Sequence, residues 1–109
     1  MDKNEFVFIY STFPDEPSAR RVSEVLVSAR LAACVNIYPP MISVYEWENK
    51  LQTEQEFAVF IKTRRTKVDE VVATARPLHP YSIPCFLVLP IASGNGDYLD
   101  WAWRQTRTA

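Results

Sequence analysis

The chain has 109 residues, 48% of them hydrophobic and 23% charged, and a net charge of −1. That length and composition suit one globular domain over residues 1–109, with no linker, repeat or low-complexity tract, and exclude a disulfide-built miniprotein. A near-neutral balance without a basic stripe excludes the usual phosphate-neutralising mode of nucleic-acid binding.

The opening residues are polar and mixed in charge. The apolar run after them, Phe6 to Tyr10, is far too short for a signal or membrane segment. The two cysteines, Cys34 and Cys85, lack CxxC spacing and read as free thiols of a reducing compartment. The expectation is a cytoplasmic protein that makes no membrane contact.

Phe6-Val7-Phe8-Ile9-Tyr10 predicts a first strand covered on both faces. Ser11-Thr12-Phe13-Pro14 breaks it, and Asp15 is a natural helix N-cap, with Pro17 suited to the first turn. Val22, Val25, Leu26 and Ala29 then form the apolar stripe of a helix running to about Arg30. Leu31 to Tyr38 reads as a second strand, which Pro39-Pro40 must interrupt because proline donates no ladder bond. It resumes from Met41 to Trp47. After the polar turn Glu48-Asn49-Lys50, Gln55 to Lys62 forms a third strand, with Phe57, Val59 and Ile61 on one face and Ala58 and Phe60 on the other.

Val68, Val71, Val72, Ala75 and Leu78 mark a second helix, ended by Pro77 and Pro80. Pro84 to Ile91 reads as a fourth strand. The loop Ala92 to Gly96 holds both glycines, and Asp97 is placed to cap a short final helix in which Tyr98, Leu99, Trp101 and Ala102 pack. The order strand-helix-strand-strand-helix-strand predicts an α+β, ferredoxin-like βαββαβ sandwich with a C-terminal helix. The central hairpin, from about Ala33 to Lys62, is longer than such a sheet requires. Its rims would leave backbone groups unpaired, which predicts pairing with further copies of the chain.

Several stretches then fall into a known order. They are Ala29-Arg30-Leu31-Ala32-Ala33-Cys34-Val35-Asn36; Val44-Tyr45-Glu46-Trp47-Glu48-Asn49-Lys50 with Ile61-Lys62-Thr63; and His79-Pro80-Tyr81-Ser82-Ile83-Pro84 with Leu89-Pro90-Ile91 and Asp97-Tyr98-Leu99-Asp100-Trp101. With Thr12-Phe13-Pro14-Asp15-Glu16 at the start, they resemble the CutA divalent-cation-tolerance family from about Phe6 to Trp101. The resemblance implies a homotrimer with interwoven hairpins, an architecture similar to the PII signalling proteins, and a role in tolerance of divalent cations, notably copper. Fold alone does not carry that activity. Copper-binding members use a cysteine at the end of the first strand and a His-His pair before Pro-Tyr. Here Ser11 and Leu78 stand at the cysteine and first histidine positions, and only His79 carries over.

The candidate metal residues are therefore His79, Cys85 and Glu56. An imidazole and a thiolate suit copper or zinc, and a carboxylate suits harder cations. Each also has a plainer reading: His79 as a turn-stabilising group, Cys85 and Cys34 as small core residues, and Glu56 with Glu46, Glu48 and Glu54 as solvated charge beside a hairpin turn. No cofactor is required, and copper or another divalent metal is the expected ligand. No particular protein partner is indicated. Lys62, Arg64 and Arg65 offer an alternative, a PII-like signalling or scaffold trimer that holds a small anion or a partner protein in clefts between subunits. No catalytic motif is present, and the Ser11–Asp15 loop lacks the glycines and arginine of a phosphate cradle. The expectation is a binding protein and not an enzyme.

Overall fold

In the computed structural model, which describes residues 5–107, the elements run β1 (Phe6–Phe13), α1 (Glu16–Ser28), β2 (Cys34–Ile37), β3 (Met41–Trp47), β4 (Lys50–Arg64), α2 (Val68–Ala75), β5 (Leu87–Pro90) and α3 (Gly96–Gln105). Single 3₁₀ turns, Arg65–Lys67 and Arg76–Leu78, flank α2. Asp15 caps α1 as its residue type predicts. Its carboxylate accepts from the Ser18 N–H at 2.8 Å, and the Ser18 hydroxyl donates to the Asp15 carbonyl at 3.2 Å. Those bonds favour the charged carboxylate and hold Asp15 below its ordinary pKa. Two residues beyond Ser28, Arg30 turns into the left-handed region with φ 61°, and the N–H groups of Leu31 and Ala32 both donate to the Leu26 carbonyl. That closure buries Leu31, Ala32 and Ala33 outside any strand, so β2 is shorter than the apolar run predicts.

The antiparallel sheet has the order β2-β4-β1-β5, the ferredoxin-like arrangement expected from the element order. β4 is its longest member. Residues 57–64 pair with β1, 59–62 with β2 and 50–56 with β3. It begins at Lys50 and not at Gln55, because Glu48 and Asn49 (φ 51° and 64°) make a two-residue turn and pairing starts at once between Trp47 and Lys50. β3 and the first half of β4 thus form a two-stranded ribbon that extends beyond the sheet.

A bulge separates β2 from β3. Ile37 faces Val59 and Met41 faces Glu56, so three residues, 38–40, oppose two, 57–58. The Tyr38 N–H still donates to the Ala58 carbonyl at 2.9 Å, but Pro39 and Pro40 have no N–H to continue the ladder. One extra residue reverses the alternation. Cys34 and Asn36 share a sheet face with Lys62 and Phe60, whereas Met41, Ser43, Tyr45 and Trp47 share that face with Glu56, Glu54 and Gln52.

The main core lies between α1, α2 and one sheet face. Val7, Ile9 and Phe13 of β1 and Val59 and Ile61 of β4 meet Ala19, Val22 and Leu26 of α1 and Val71 and Ala75 of α2. α3 packs at the Phe6 end of the other face, through Leu99 and Ala102 against Phe6 and Ala33. It starts at Gly96 with Asn95 at its N-cap position. Asp97 lies inside the first turn and accepts from the Asn95 side-chain amide at 2.7 Å, so the predicted cap is displaced by two residues. Tyr98 and Trp101 remain partly exposed. The rest of the helix-free face carries an aromatic cluster, in which Phe8, Tyr10 and Tyr38 sit 5.3–5.8 Å from Phe60. β5 opens at Leu87 and not at Pro84, and the preceding residues form the loop that builds the site. No helix among the described residues is long and apolar enough to cross a membrane.

Candidate functional site

The loop after Leu78 returns to the C-terminal end of β1 and is pinned there by His79. The 3₁₀ turn presents His79, whose N–H donates to the Arg76 carbonyl at 3.1 Å. Its ring makes two further bonds. Nδ1 accepts from the Tyr81 N–H at 3.1 Å, and Nε2 lies 3.0 Å from the Thr12 carbonyl oxygen. A carbonyl can only accept, so Nε2 carries the hydrogen and the ring is the neutral Nε2–H tautomer. The ring also stacks on Phe13 at 4.2 Å, with Tyr81 and Phe86 beside it. Burial lowers the His79 pKa, against the opposing pull of the Thr12 bond and the Glu56 charge.

Tyr81 carries the connection onward. Its hydroxyl donates to Oε2 of Glu56 at 2.7 Å. Burial, and then the Glu56 carboxylate it bonds to, push the phenol well above its ordinary pKa, so it stays a donor. Glu56 is buried on β4 at 7% exposure, and no Lys or Arg among the described residues pairs with it. Cys85 is a free, half-buried thiol whose Sγ lies 3.8 Å from the Thr12 hydroxyl. Thr12 therefore joins both sides of the loop, with its carbonyl on His79 and its hydroxyl beside Cys85.

A cleft of about 380 Å³ opens between this loop and the ribbon. Thr12, Tyr81 and Cys85 line it together with Glu56, Tyr45 and Trp47 of the ribbon, and Ser82 and Ile83 complete the lining. The bulge at Pro39-Pro40 puts the two β3 aromatics on the face that Glu56 occupies.

Of the three residues singled out from sequence, Glu56 and Cys85 face the same cleft. His79 sits behind it with both ring nitrogens engaged. No three His, Cys, Asp or Glu side chains converge as a metal-holding group among the described residues. Glu54 shares the ribbon face of Glu56, Glu46 points to the opposite face and Glu48 lies in the turn, so the four carboxylates are not one cluster. Ser11 is fully buried on the helix side, and its hydroxyl has no hydrogen-bond partner among the described residues. Two of the three basic residues are engaged elsewhere, and Arg65 is exposed. Lys62 Nζ stands 5.5 Å over the Tyr98 ring, and Arg64 donates to Thr106 through Nε at 2.9 Å and Nη2 at 2.8 Å. Sequence reasoning missed Thr12 and Tyr81. Each stands in a motif that carries the family resemblance, Tyr81 in His79-Pro80-Tyr81 and Thr12 in Thr12-Phe13-Pro14, but neither motif shows that the two flank one cleft.

Residues 7–105 match the family described as CutA1 divalent ion tolerance protein. The chain belongs to the CutA family. It is 41% identical over 95 residues to the divalent-cation tolerance protein CutA of Thermus thermophilus, covering 87% of this chain and 92% of that protein. It is 40% identical over 101 residues to the chloroplastic protein CutA 1 of Oryza sativa, covering 93% of this chain but 57% of the longer rice protein. The solved structure of the periplasmic divalent cation tolerance protein CutA of Archaeoglobus fulgidus superposes with a TM-score of 0.91 at 38% identity, over 94% of this chain and 99% of that one. The CutA resemblance read from the sequence motifs and the ferredoxin-like fold it implied are both correct.

Proposed function

We propose that this CutA chain acts as a homotrimer in divalent-cation tolerance, and that it holds a soft metal such as copper or zinc at the cleft between the ribbon and the 79–86 loop. The observation that carries this reading is that Glu56 and Cys85, a carboxylate and a thiol distant in sequence, face one cleft. A thiolate is a strong ligand for copper and zinc, and a carboxylate completes part of the shell. His79 is less suited than its residue type suggests, because coordination would have to break its bond to Tyr81 or to Thr12. Two donors do not close a four-ligand site, so water or a neighbouring copy supplies the remaining positions.

Assembly is supported by the ribbon. Its outer face carries Ile42, Val44 and Leu51 at 74%, 64% and 77% exposure, and an isolated two-stranded ribbon is marginal in water. A binding role, and not catalysis, is supported by His79, the natural general base, having both nitrogens committed. A cytoplasmic setting is supported by two free thiols, although the rice and Archaeoglobus relatives are named for the chloroplast and the periplasm. An anion-binding, PII-like role is less well supported, since Lys62 and Arg64 are engaged away from the cleft and the cleft's one charged wall is Glu56.

Calorimetric titration with Zn(II), and with Cu(I) under reducing conditions, tests the metal reading. Cys85→Ser should weaken binding by roughly tenfold or more, and His79→Gln should change it little. Equal affinity in wild type and Cys85→Ser rejects this placement of the metal.

A further inference from the structure

Glu56 is a buried carboxylate with no salt-bridge partner among the described residues. It is 7% exposed, its Oε2 receives the Tyr81 hydroxyl, and no described Lys or Arg forms an ion pair with it. Such a charge is costly to keep out of water unless a cation meets it. The carboxylate borders a cleft of about 380 Å³, toward the lower end of the range for small-molecule sites. Around it stand Tyr45, Trp47, Tyr81 and Ile83, four side chains offering ring or alkyl surface. A hard divalent ion wants six or more oxygen ligands, and these walls do not supply them. A cation whose charge is spread over alkyl groups needs the opposite, a single counter-charge and aromatic faces.

The geometry points to this cleft as a binding site for a small organic ammonium ion, its nitrogen set against Glu56 and its alkyl groups resting on Tyr45, Trp47 and Tyr81. The Tyr81 phenol stays neutral in this arrangement and keeps Oε2 of Glu56 fixed, so the anionic group is oriented before a ligand arrives. The inference shares Glu56 and the cleft with the metal reading but differs in its second requirement: it needs the ring faces, whereas the metal reading needs the Cys85 thiolate.

Titration of the full chain in its assembled state with choline tests it, with 3,3-dimethylbutan-1-ol as the uncharged isostere. Choline should bind saturably and the alcohol at least roughly tenfold more weakly. Glu56→Gln, which keeps the size of the side chain, and Trp47→Leu, which removes the ring, should each weaken choline by roughly tenfold. Glu24→Gln on the far side of α1 should not. Unfolding curves recorded on the same samples separate lost binding from lost fold. The inference is overturned if the alcohol binds as well as choline, or if folded Glu56→Gln binds normally. It is also overturned if no saturation is reached by about 10 mM, or if a Lys or Arg of a second copy fills the cleft in a crystal of the assembly. Choline binding without zinc binding sinks the metal reading alone, and zinc binding without choline binding sinks this one alone.

Discussion

The Tyr81 hydroxyl donates to Oε2 of Glu56 at 2.7 Å, and that one bond ties the 79–86 loop to β4. Tyr81→Phe keeps the ring but leaves a buried carboxylate oxygen without its donor, which should cost about 1–3 kcal/mol in urea unfolding. The bond also sets a pH dependence. The fold raises the Tyr81 pKa, so this contribution is fully present below the ordinary tyrosine value and is lost as pH rises through the higher folded one. Between pH of about 9 and about 12, wild type should lose stability more steeply than Tyr81→Phe. Parallel slopes would mean that Tyr81 does not sense ionisation in the fold.

His79 should make the protein sensitive to acid. Its folded pKa lies below the ordinary histidine value, because burial disfavours the imidazolium and Nδ1 must stay unprotonated to accept from Tyr81. The contribution is therefore present above pH of about 6.5 and is lost as pH falls through the folded pKa. The single imidazole signal in proton NMR should titrate below that of an unfolded control. At neutral pH His79→Ala should destabilise by about 2–4 kcal/mol, from two lost hydrogen bonds and the lost stack on Phe13. A normal or raised His79 titration would mean that burial does not outweigh the Thr12 bond and the Glu56 charge at this ring.

The ribbon should govern assembly. Ile42 and Leu51 lie on its outer face, away from the cleft, and touch no core cluster. Replacing both with glutamate adds charge to a surface that neighbouring copies are proposed to cover. In sedimentation velocity at micromolar concentration, wild type should run at three times the 12.6 kDa chain mass. The double variant should shift toward the single-chain mass while keeping its circular dichroism. A double variant that stays trimeric would place the interface elsewhere.

Most of the fold was legible because its signals are local. Asp15 followed by Pro17 marked the start of α1, and the spacing of Val22 and Leu26 marked its buried face. Alternation in Phe57–Ile61 gave both faces of β4 correctly. The misplacements fall where a nonlocal contact overrides a local pattern. Leu31 to Ala33 look like strand but are drawn under α1 by bonds to the Leu26 carbonyl. Pro84 to Phe86 look like the start of a strand but belong to the loop over Thr12. Asp97 lost the cap position to Asn95, which differs from it by two places in sequence and equally suits a helix start.

The site was legible only in part. Residue chemistry alone nominated Glu56 and Cys85, and both line the cleft. The same chemistry nominated His79, but two hydrogen bonds use its ring nitrogens, and of the two partners only Tyr81 is a near neighbour in sequence.

By itself the sequence determined the order of elements, the helix start at Asp15, the place of the polar hairpin turn and the family. Each of these depends on residues close together along the chain or on motifs in register. Tertiary structure alone decided what faces the cleft. The extra residue at Pro39-Pro40 turns Tyr45 and Trp47 toward Glu56, and a ladder without it would have turned Val44 and Glu46 there. Glu56 meets Tyr81 across 25 residues and Thr12 meets His79 across 67. Contacts at such separations are set by how strands and loops pack, because no local preference reaches that far along the chain.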